Sequence, residues 1–142
     1  MRRRFDEQLA LLNKEMIEMG ALCEEAIALA AKALTENAAL AGNVAPLASG
    51  IDQMERDIES RCLKLLLQQQ PVAKDLRQIS AALKMITDME RIGDQAEDIA
   101  EIIPHLNGHS AAECVQIRDM AKETIRMVTE SVDAYVKRDV AL

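Results

Sequence analysis

Apolar residues recur in steps of three and four through the first quarter of the chain, and this pattern constrains the fold more than any other feature. The steps persist for about eight helical turns, whereas a strand would need apolar residues at every second position. So long an amphipathic helix needs other helices to cover its apolar side. We therefore predict a helix from about Phe5 to about Leu40, whose inward stripe is Phe5, Leu9, Leu12, Met16, Met19, Cys23, Ala26, Ala30 and Leu34.

Three further helices follow from the same periodicity and from the turn residues between the periodic segments. We predict them over about Leu47–Gln69, Pro71–Ile103 and Ser110 to the C-terminus. The second ends because proline disfavours helical backbone in the residue before it, and Pro71 suits the first position of the third. Helices joined by loops this short pack antiparallel. The sequence thus predicts an all-α protein, an antiparallel three-helix bundle with a fourth helix.

The composition supports a helical bundle and argues against several classes of function. Hydrophobic residues make up 49% of the chain, and only Phe5 and Tyr135 are aromatic. A net charge of -7 argues against nucleic acid as a partner, because phosphate binding needs clustered Lys and Arg. No apolar stretch approaches the roughly 18 residues needed to span a bilayer, and the N-terminus lacks a signal-peptide core. These features predict a cytoplasmic protein that meets a membrane only through its partners.

The three cysteines do not form a metal-binding motif. Cys23, Cys62 and Cys114 are far apart and show no CxxC spacing. Reduced thiols in a cytoplasmic protein fit this pattern, and a zinc site built from cysteines does not.

The end of the chain resembles part of its beginning. Residues Glu24–Leu40 and Arg126–Leu142 align without a gap, so that Val128, Val132 and Val136 fall opposite Ala26, Ala30 and Leu34. A few identities make this a weak repeat signal. At face value, the fourth helix is the first helix of a second copy whose partner helices are missing. The chain is then a fragment of a longer protein, and the uncovered apolar side of its fourth helix predicts a homodimer.

The segment "DMERIGDQAED" (Asp88–Asp98) does not look like an ordinary helix. It contains five carboxylates and a glycine, and a glycine inside a helix costs about 1 kcal/mol relative to alanine. When the predicted third helix is projected at about 100° per residue, the apolar residues of its N-terminal half lie on a line that continues into carboxylates. The line runs through Leu76, Ile79, Leu83 and Ile86 to Glu90, Asp94 and Glu97. The apolar residues above it (Met89, Ile92, Ala96, Ile99 and Ile103) lie to one side, so we predict that the inward face shifts.

Two interpretations of these carboxylates remain open. Glu90 and Asp94 are neighbours on one helix face, roughly 5–6 Å apart between Cβ atoms, and repel each other unless a cation lies between them. They are either solvated surface groups or ligands of a metal ion, with Gly93 as a point of close approach for a helix or ligand. Oxygen ligands suit Mg²⁺, Mn²⁺ or iron. Glu97 and Asp98 are candidate accessory groups.

The second helix offers one further candidate ligand. Asp52 lies near its start and could join the site, whereas Glu55 and Glu59 alternate with Arg56 and Arg61. Mixed charges at this spacing are more typical of a solvated, ion-paired surface. A di-iron oxidase is disfavoured, because that class needs Glu-x-x-His pairs on two helices and none is found.

The segment "QQQPVAKDLRQISAALKMITDMERIGDQAEDIAE" (Gln68–Glu101) resembles the signature of the PhoU family of phosphate-transport regulators. The features that coincide are Gln-Pro ahead of "DLR", an apolar helix, and "ERIGD" followed by "A" and "IA". The first two helices match the family pattern in the same order. The resemblance implies two tandem three-helix bundles, with residues 1–107 as the first repeat and residues 108–142 containing the first helix of an incomplete second repeat. It also implies a tendency to form dimers or larger oligomers.

The resemblance also implies a function. Members of the family are non-enzymatic, cytoplasmic negative regulators that link the phosphate-specific ABC transporter, through its ATPase, to a sensor histidine kinase. Their E/D-x-x-x-D motifs bind metal, in some members as iron or zinc clusters. Glu90 and Asp94 match one such motif here, whereas the second helix would supply Ala48 and Asp52, so one carboxylate is missing. Two other functions stay open: a carboxylate-metal hydrolase of phosphorylated compounds, and a metal-free helical adaptor.

Overall fold

Four long α-helices form the protein, as the periodicity predicts. The structure is a computed structural model, and it describes residues 2–68, 72–106 and 114–137. Helix α1 is Arg2–Thr35, α2 is Val44–Gln68, α3 is Ala73–Ile102 and α4 is Cys114–Lys137. Short 3₁₀ segments at Ala38–Asn43 and Ile103–Leu106 follow α1 and α3. The prediction of an all-α bundle is confirmed.

Helix α1 is the centre of the bundle and packs against each of the other three helices. Contacts along its length fix their directions. The Gln78 side chain of α3 donates to the Asn13 side chain, and the Cys23 thiol donates to the Met89 carbonyl, so α3 runs parallel to α1. Helix α4 runs antiparallel to α1, because Thr129 contacts Glu24 and Arg118 pairs with Glu36.

The core is formed along the stripe that the periodicity of α1 predicts. Eight of the nine predicted positions are buried, and Leu34 is half-buried while its neighbour Ala33 is buried. The second helix adds Ile51, Ile58, Cys62 and Leu65. Two buried thiols in this core, Cys23 and Cys62, are free. Cys114 lies where side chains are not described.

Helix α3 has a single inward face, and the predicted shift of that face is wrong. Its buried positions form one continuous stripe, which is Asp75, Gln78, Ile79, Ala82, Ile86, Met89, Gly93, Ala96 and Ala100. Leu76, predicted to point inward, is 44% exposed, and Leu83 is half-buried. The reason is that this stripe packs against α1 and α2 together, and Gly93 within it contacts Ile51 of α2. Of the predicted line, Ile79 and Ile86 belong to the stripe, whereas Glu90 and Asp94 lie beside it, next to Asp52 of α2.

The helix boundaries depend on local capping. Helix α1 ends at Thr35, earlier than predicted, because the Asn37 side chain accepts a hydrogen bond from the Ala39 amide and begins a 3₁₀ turn. Helix α3 begins at Ala73, after Val72. The predicted starts of the third and fourth helices, Pro71 and Ser110, lie outside the described residues.

Helix α4 packs on α1 through a few buried side chains. These are Val128, Val132 and Tyr135. Gly20 of α1 permits this contact, since a Cβ atom there would lie 3.0 Å from a methyl group of Val132. The helix approaches α3 only weakly, and an open apolar groove of about 410 Å³ separates the two helices. None of the described helices combines the length and the hydrophobicity that crossing a bilayer requires.

Candidate metal centre

Three carboxylates from two helices converge where the N-terminal part of α2 packs on the C-terminal part of α3. Because α2 and α3 run antiparallel, the first turns of α2 lie beside the last turns of α3. Asp52 of α2 thereby meets Glu90 and Asp94 of α3, and one oxygen from each of the three lies within 4.8 Å of the other two. Asp52 and Glu90 are half-buried. The sequence places Glu90 beside Asp94, and the fold brings Asp52 to them.

Gly93 sets the separation of the two helices at this site. It is buried against Ile51, and a Cβ atom built on Gly93 would lie only 3.0 Å from the Ile51 Cδ1 atom. A side chain would therefore push α2 away from α3. The predicted close approach at Gly93 is one between helices, and it lies beside the carboxylates, since Ile51 precedes Asp52.

The close approach of these carboxylates raises the pKa of Glu90. The pKa of Glu90 is raised to about 7, first because its protonated carboxyl donates a hydrogen bond to Asp94, then by burial and by the charges of Asp94, Glu55 and Asp52. The pKa of Glu55 is also raised, by burial and by the charges of Glu59, Asp52 and Asp94, against the opposing effect of Arg56. The site therefore lacks positive charge.

Within the described part of the chain, no ion pair neutralises the three converging carboxylates. Arg91, which follows Glu90 in sequence, pairs with Asp88, 3.8 Å away on the surface. One oxygen of Asp52, Oδ1, is buried without a hydrogen-bond partner in the structure. A buried carboxylate oxygen without a partner costs free energy, and a cation at the centre of the three would be such a partner. The donor set thus fits a metal ion.

Glu55 is a functional candidate that the sequence analysis missed. Its charge acts on Glu90, and those of Asp52 and Asp94 act on it, so it borders the same site. Glu55 follows Asp52 by three residues, which puts both on one side of α2. This spacing could have identified Glu55 as a candidate from the sequence. The alternation with arginines instead favoured a solvated surface. Ala48, where the resemblance noted above implies a carboxylate, is buried and has no charge to contribute.

Two candidate accessory residues are not among the three converging carboxylates. Glu97 is half-buried and Asp98 is exposed on α3.

Among the described residues, only oxygen ligands converge at this site. The described thiols, Cys23 and Cys62, lie in the bundle core, where burial is the main cause that raises their pKa values to about 12 and about 11. Both therefore stay protonated near neutral pH, and a metal ligand must be a thiolate. Carboxylate oxygens alone suit hard or borderline cations such as Mg²⁺, Mn²⁺ and iron.

Comparison with known proteins decides the family. A sequence profile of the PhoU domain matches residues 16–103. These residues include α2, α3 and the three converging carboxylates, Asp52, Glu90 and Asp94. The chain belongs to the PhoU family. This confirms the resemblance inferred from the segment around "ERIGD".

The similarity to individual PhoU proteins extends beyond the matched domain. A phosphate-specific transport system accessory protein PhoU homolog of Clostridium acetobutylicum is 37% identical over 97% of this chain and 64% of its own length. The homolog of Pseudomonas aeruginosa is 34% identical over 99% of this chain and 59% of its own. The chain thus spans about three fifths of the length of these relatives.

The fold is that of a solved PhoU structure. The crystal structure of PhoU from Pseudomonas aeruginosa superimposes with a TM-score of 0.88 at 34% identity, over 95% of this chain and 66% of the other. The relatives bear the name of an accessory protein of a transport system. The prediction of a non-enzymatic protein is confirmed at the level of the family.

Proposed function

We propose that this PhoU-family protein is a cytoplasmic regulator of phosphate uptake and of phosphate-dependent signalling. It acts by contact with two partners, the ATPase of the phosphate ABC transporter and a sensor histidine kinase. The observation that supports the transport role most directly is the match of residues 16–103 to the PhoU domain, together with relatives named for phosphate-specific transport. No catalytic step is required of such a protein.

We further propose that Asp52, Glu90 and Asp94 hold a metal ion, with Glu55 beside them. The support is the convergence of their oxygens within 4.8 Å and the buried, partnerless Oδ1 atom of Asp52. A di- or trivalent cation (magnesium, manganese, iron or zinc) would supply the positive charge that the site lacks, and would tie α2 to α3. Glu97 and Asp98 would serve at most as accessory groups.

The domain organisation is also a proposal. Residues 1–107 would form the first PhoU-like repeat, and residues 108–142 would contain the first helix of the second. The packing of α4 on α1 through Val128 and Val132 supports this, since these are the residues that align with Ala26 and Ala30. The apolar groove beside α4 supports a homo-oligomer.

A binding experiment with purified partners tests the regulatory role. The protein would be immobilised and exposed separately to the transporter ATPase and to the cytoplasmic part of the kinase, before and after treatment with a chelator. Saturable binding of either partner is expected, and chelation should change it if the metal contributes to the interface. The absence of binding to both partners, with and without metal, would contradict the role.

Metal analysis separates the metal-binding regulator from a metal-free adaptor. Elemental analysis of the purified protein should find a stoichiometric metal. Addition of Mn²⁺ or Fe³⁺ to chelated protein should raise the melting temperature, because a ligand that binds only the folded state stabilises it. A protein free of metal, whose melting temperature none of the four cations changes, would be the adaptor.

A further inference from the structure

Glu55 of α2 lies across the helix interface from the carboxylates of α3, at the level of Glu90. Helices α2 and α3 run antiparallel, and Ile51 packs against Gly93. Four residues further along α2 is Glu55, and four residues back along α3 is Met89, each about 6 Å from that contact at about 1.5 Å per residue. Because Met89 precedes Glu90 in sequence, the half-buried Glu55 and Glu90 share nearly the same level of the interface.

Glu55 also points to the side of α2 on which the metal centre lies. It follows Asp52 by three residues, which places it about 60° away around the helix axis. The oxygens that lie within 4.8 Å of one another come from Asp52, Glu90 and Asp94, and Glu55 is outside that group. The charges of Asp52 and Asp94 nevertheless act on Glu55, and the charge of Glu55 acts on Glu90. The carboxylate of Glu55 therefore borders the space that the other three enclose.

The side of the metal centre nearer the C-terminus of α3 offers no further ligand from α2. In the same register, Ala48 lies opposite Ala96, and both alanines are buried and carry no ligand atom. The first turns of α2, Val44–Ile51, contain no acidic residue, so Glu97 and Asp98 of α3 have no carboxylate of α2 at their level. The resemblance to the PhoU family implies a carboxylate at position 48, and this chain lacks it.

We infer that Glu55 is a fourth ligand of the metal ion and that the site holds a single ion, on the Glu55 side of Asp52. Two carboxylates from each helix then surround the ion, Asp52 and Glu55 from α2 and Glu90 and Asp94 from α3. On binding, Glu55 changes rotamer and turns one oxygen towards the ion. Glu55 thereby replaces the ligand that Ala48 cannot supply. The inference rests on the proposed function in one respect, namely that the other three carboxylates bind a metal ion.

A set of four carboxylates restricts the kinds of ion that suit the site. Mg²⁺ gives up its water molecules reluctantly, and in proteins it usually takes only one or two carboxylates. Mn²⁺ and iron also suit oxygen ligands, without that restriction. The site should therefore prefer Mn²⁺ or iron, and Mg²⁺ in large excess should not displace Mn²⁺ from it. Displacement by Mg²⁺ would contradict a set of four carboxylate ligands.

Isothermal titration calorimetry of the full chain with MnCl₂, after removal of bound metal with a chelator, tests the role of Glu55. One ion per chain is expected. Glu55→Gln should weaken Mn²⁺ binding about tenfold or more, because it removes a ligand. Glu55→Asp keeps the charge and shortens the side chain by one methylene group. It should also weaken binding, because the shorter side chain does not reach the ion.

The matched control is Asp57→Asn on the same helix. Asp57 is exposed and lies about 160° around α2 from Glu55, so this variant loses the same charge from the other side of the helix. Its affinity for Mn²⁺ should stay within about twofold of the wild-type value, because salt screens an exposed charge. Circular dichroism of each variant should show unchanged helix content, so that a change in affinity reports on the site.

Three results of the titrations would overturn the inference. They are wild-type affinity in Glu55→Gln, wild-type affinity in Glu55→Asp, which would show that Glu55 acts only through its charge, and two ions bound per chain. Asp94→Asn separates this inference from the proposed function. If Asp94→Asn weakens binding and Glu55→Gln does not, the proposed site stands and the fourth ligand is wrong. If the wild-type chain binds neither Mn²⁺ nor Fe³⁺, the proposed site itself is wrong.

Discussion

The two sides of helix α3 differ sharply in how they meet their neighbours. Towards α2 the helix packs extensively, Gly93 lies against Ile51, and carboxylates from both helices converge. Towards α4 it makes few contacts, and an apolar groove remains open between them. One helix thus has a tightly packed side with unneutralised charge and a loosely packed side with an apolar groove.

The difference shows where precise geometry is needed. A metal centre requires oxygens held at fixed separations, and close helix packing provides this. An apolar groove tolerates larger variations, because dispersion and hydrophobic contacts have no preferred direction. Four experiments can break or sharpen the comparison between the two sides.

The largest effect is expected on the tight side. Gly93→Leu should destabilise the protein by about 2–3 kcal/mol, because the added side chain must displace Ile51 from a packed core. Urea denaturation measures the change. The control is Gly42→Leu, since a Cβ atom at Gly42 meets nothing within 4 Å. Equal destabilisation by both variants would show that Gly93 does not limit the helix separation.

The second effect concerns the charges on the tight side. Asp94→Asn should weaken Mn²⁺ binding at least tenfold, since it removes one of three oxygen donors, and even residues that only orient a ligand alter affinity by about that much. Isothermal titration calorimetry measures the affinity. Asp119→Asn on α4 makes the same chemical change on an exposed residue and should leave binding unchanged. Unaltered affinity in Asp94→Asn would place the ion elsewhere.

A smaller effect is expected from pH, and its sign follows from Glu90. The pKa of Glu90 is raised from 4.5 to about 7, so the folded metal-free protein holds a proton that the unfolded chain releases. The contribution of Glu90 to stability is therefore fully present below pH 4.5 and is lost as the pH rises through 7.

Thermal unfolding of chelated protein across this pH range measures the contribution. In Glu90→Gln the melting temperature should fall less as the pH rises, because the side chain is neutral at every pH. Metal binding should show the opposite trend and tighten as Glu90 loses its proton. A decline that survives in Glu90→Gln would have to come from other groups.

The smallest effect is expected on the loose side. Met120 is 68% exposed at the edge of the groove between α3 and α4, and Met120→Ser should change the free energy of unfolding by less than about 0.5 kcal/mol. Urea denaturation under the conditions used for Gly93→Leu allows direct comparison. The measurement is made at a protein concentration at which the chain is monomeric. A loss of about 2 kcal/mol or more there would mean that the groove is covered within the monomer, and the contrast between the two sides would disappear.

The periodicity of the sequence predicted the helices and most of the core. The inward residues of α1 were predicted correctly because a long helix with a single apolar side can bury that side in only one orientation. The boundaries were less predictable, since they depend on single side chains such as Asn37, which caps a 3₁₀ turn.

The errors on α3 share one physical cause. A projection of an isolated helix shows which residues lie on one line, but not which neighbour that line faces. Leu76 therefore looked like a core residue, although it lies on the outer face of the α2–α3 pair. Glu55 was set aside because charges of both signs alternate on α2, and only the fold shows that the carboxylates raising its pKa include Asp94 on another helix.

The absence of a side chain at Gly93 has a consequence for ion selectivity. The distance between α2 and α3 determines how far Asp52 lies from Glu90 and Asp94, and Gly93 sets that distance from inside the core. If the site holds a cation, the size of the ion it prefers can be adjusted without altering any ligand. A single methyl group, as in Gly93→Ala, requires Ile51 to give way by a few tenths of an ångström. If α2 moves with Ile51, the wider gap favours a larger ion over a smaller one.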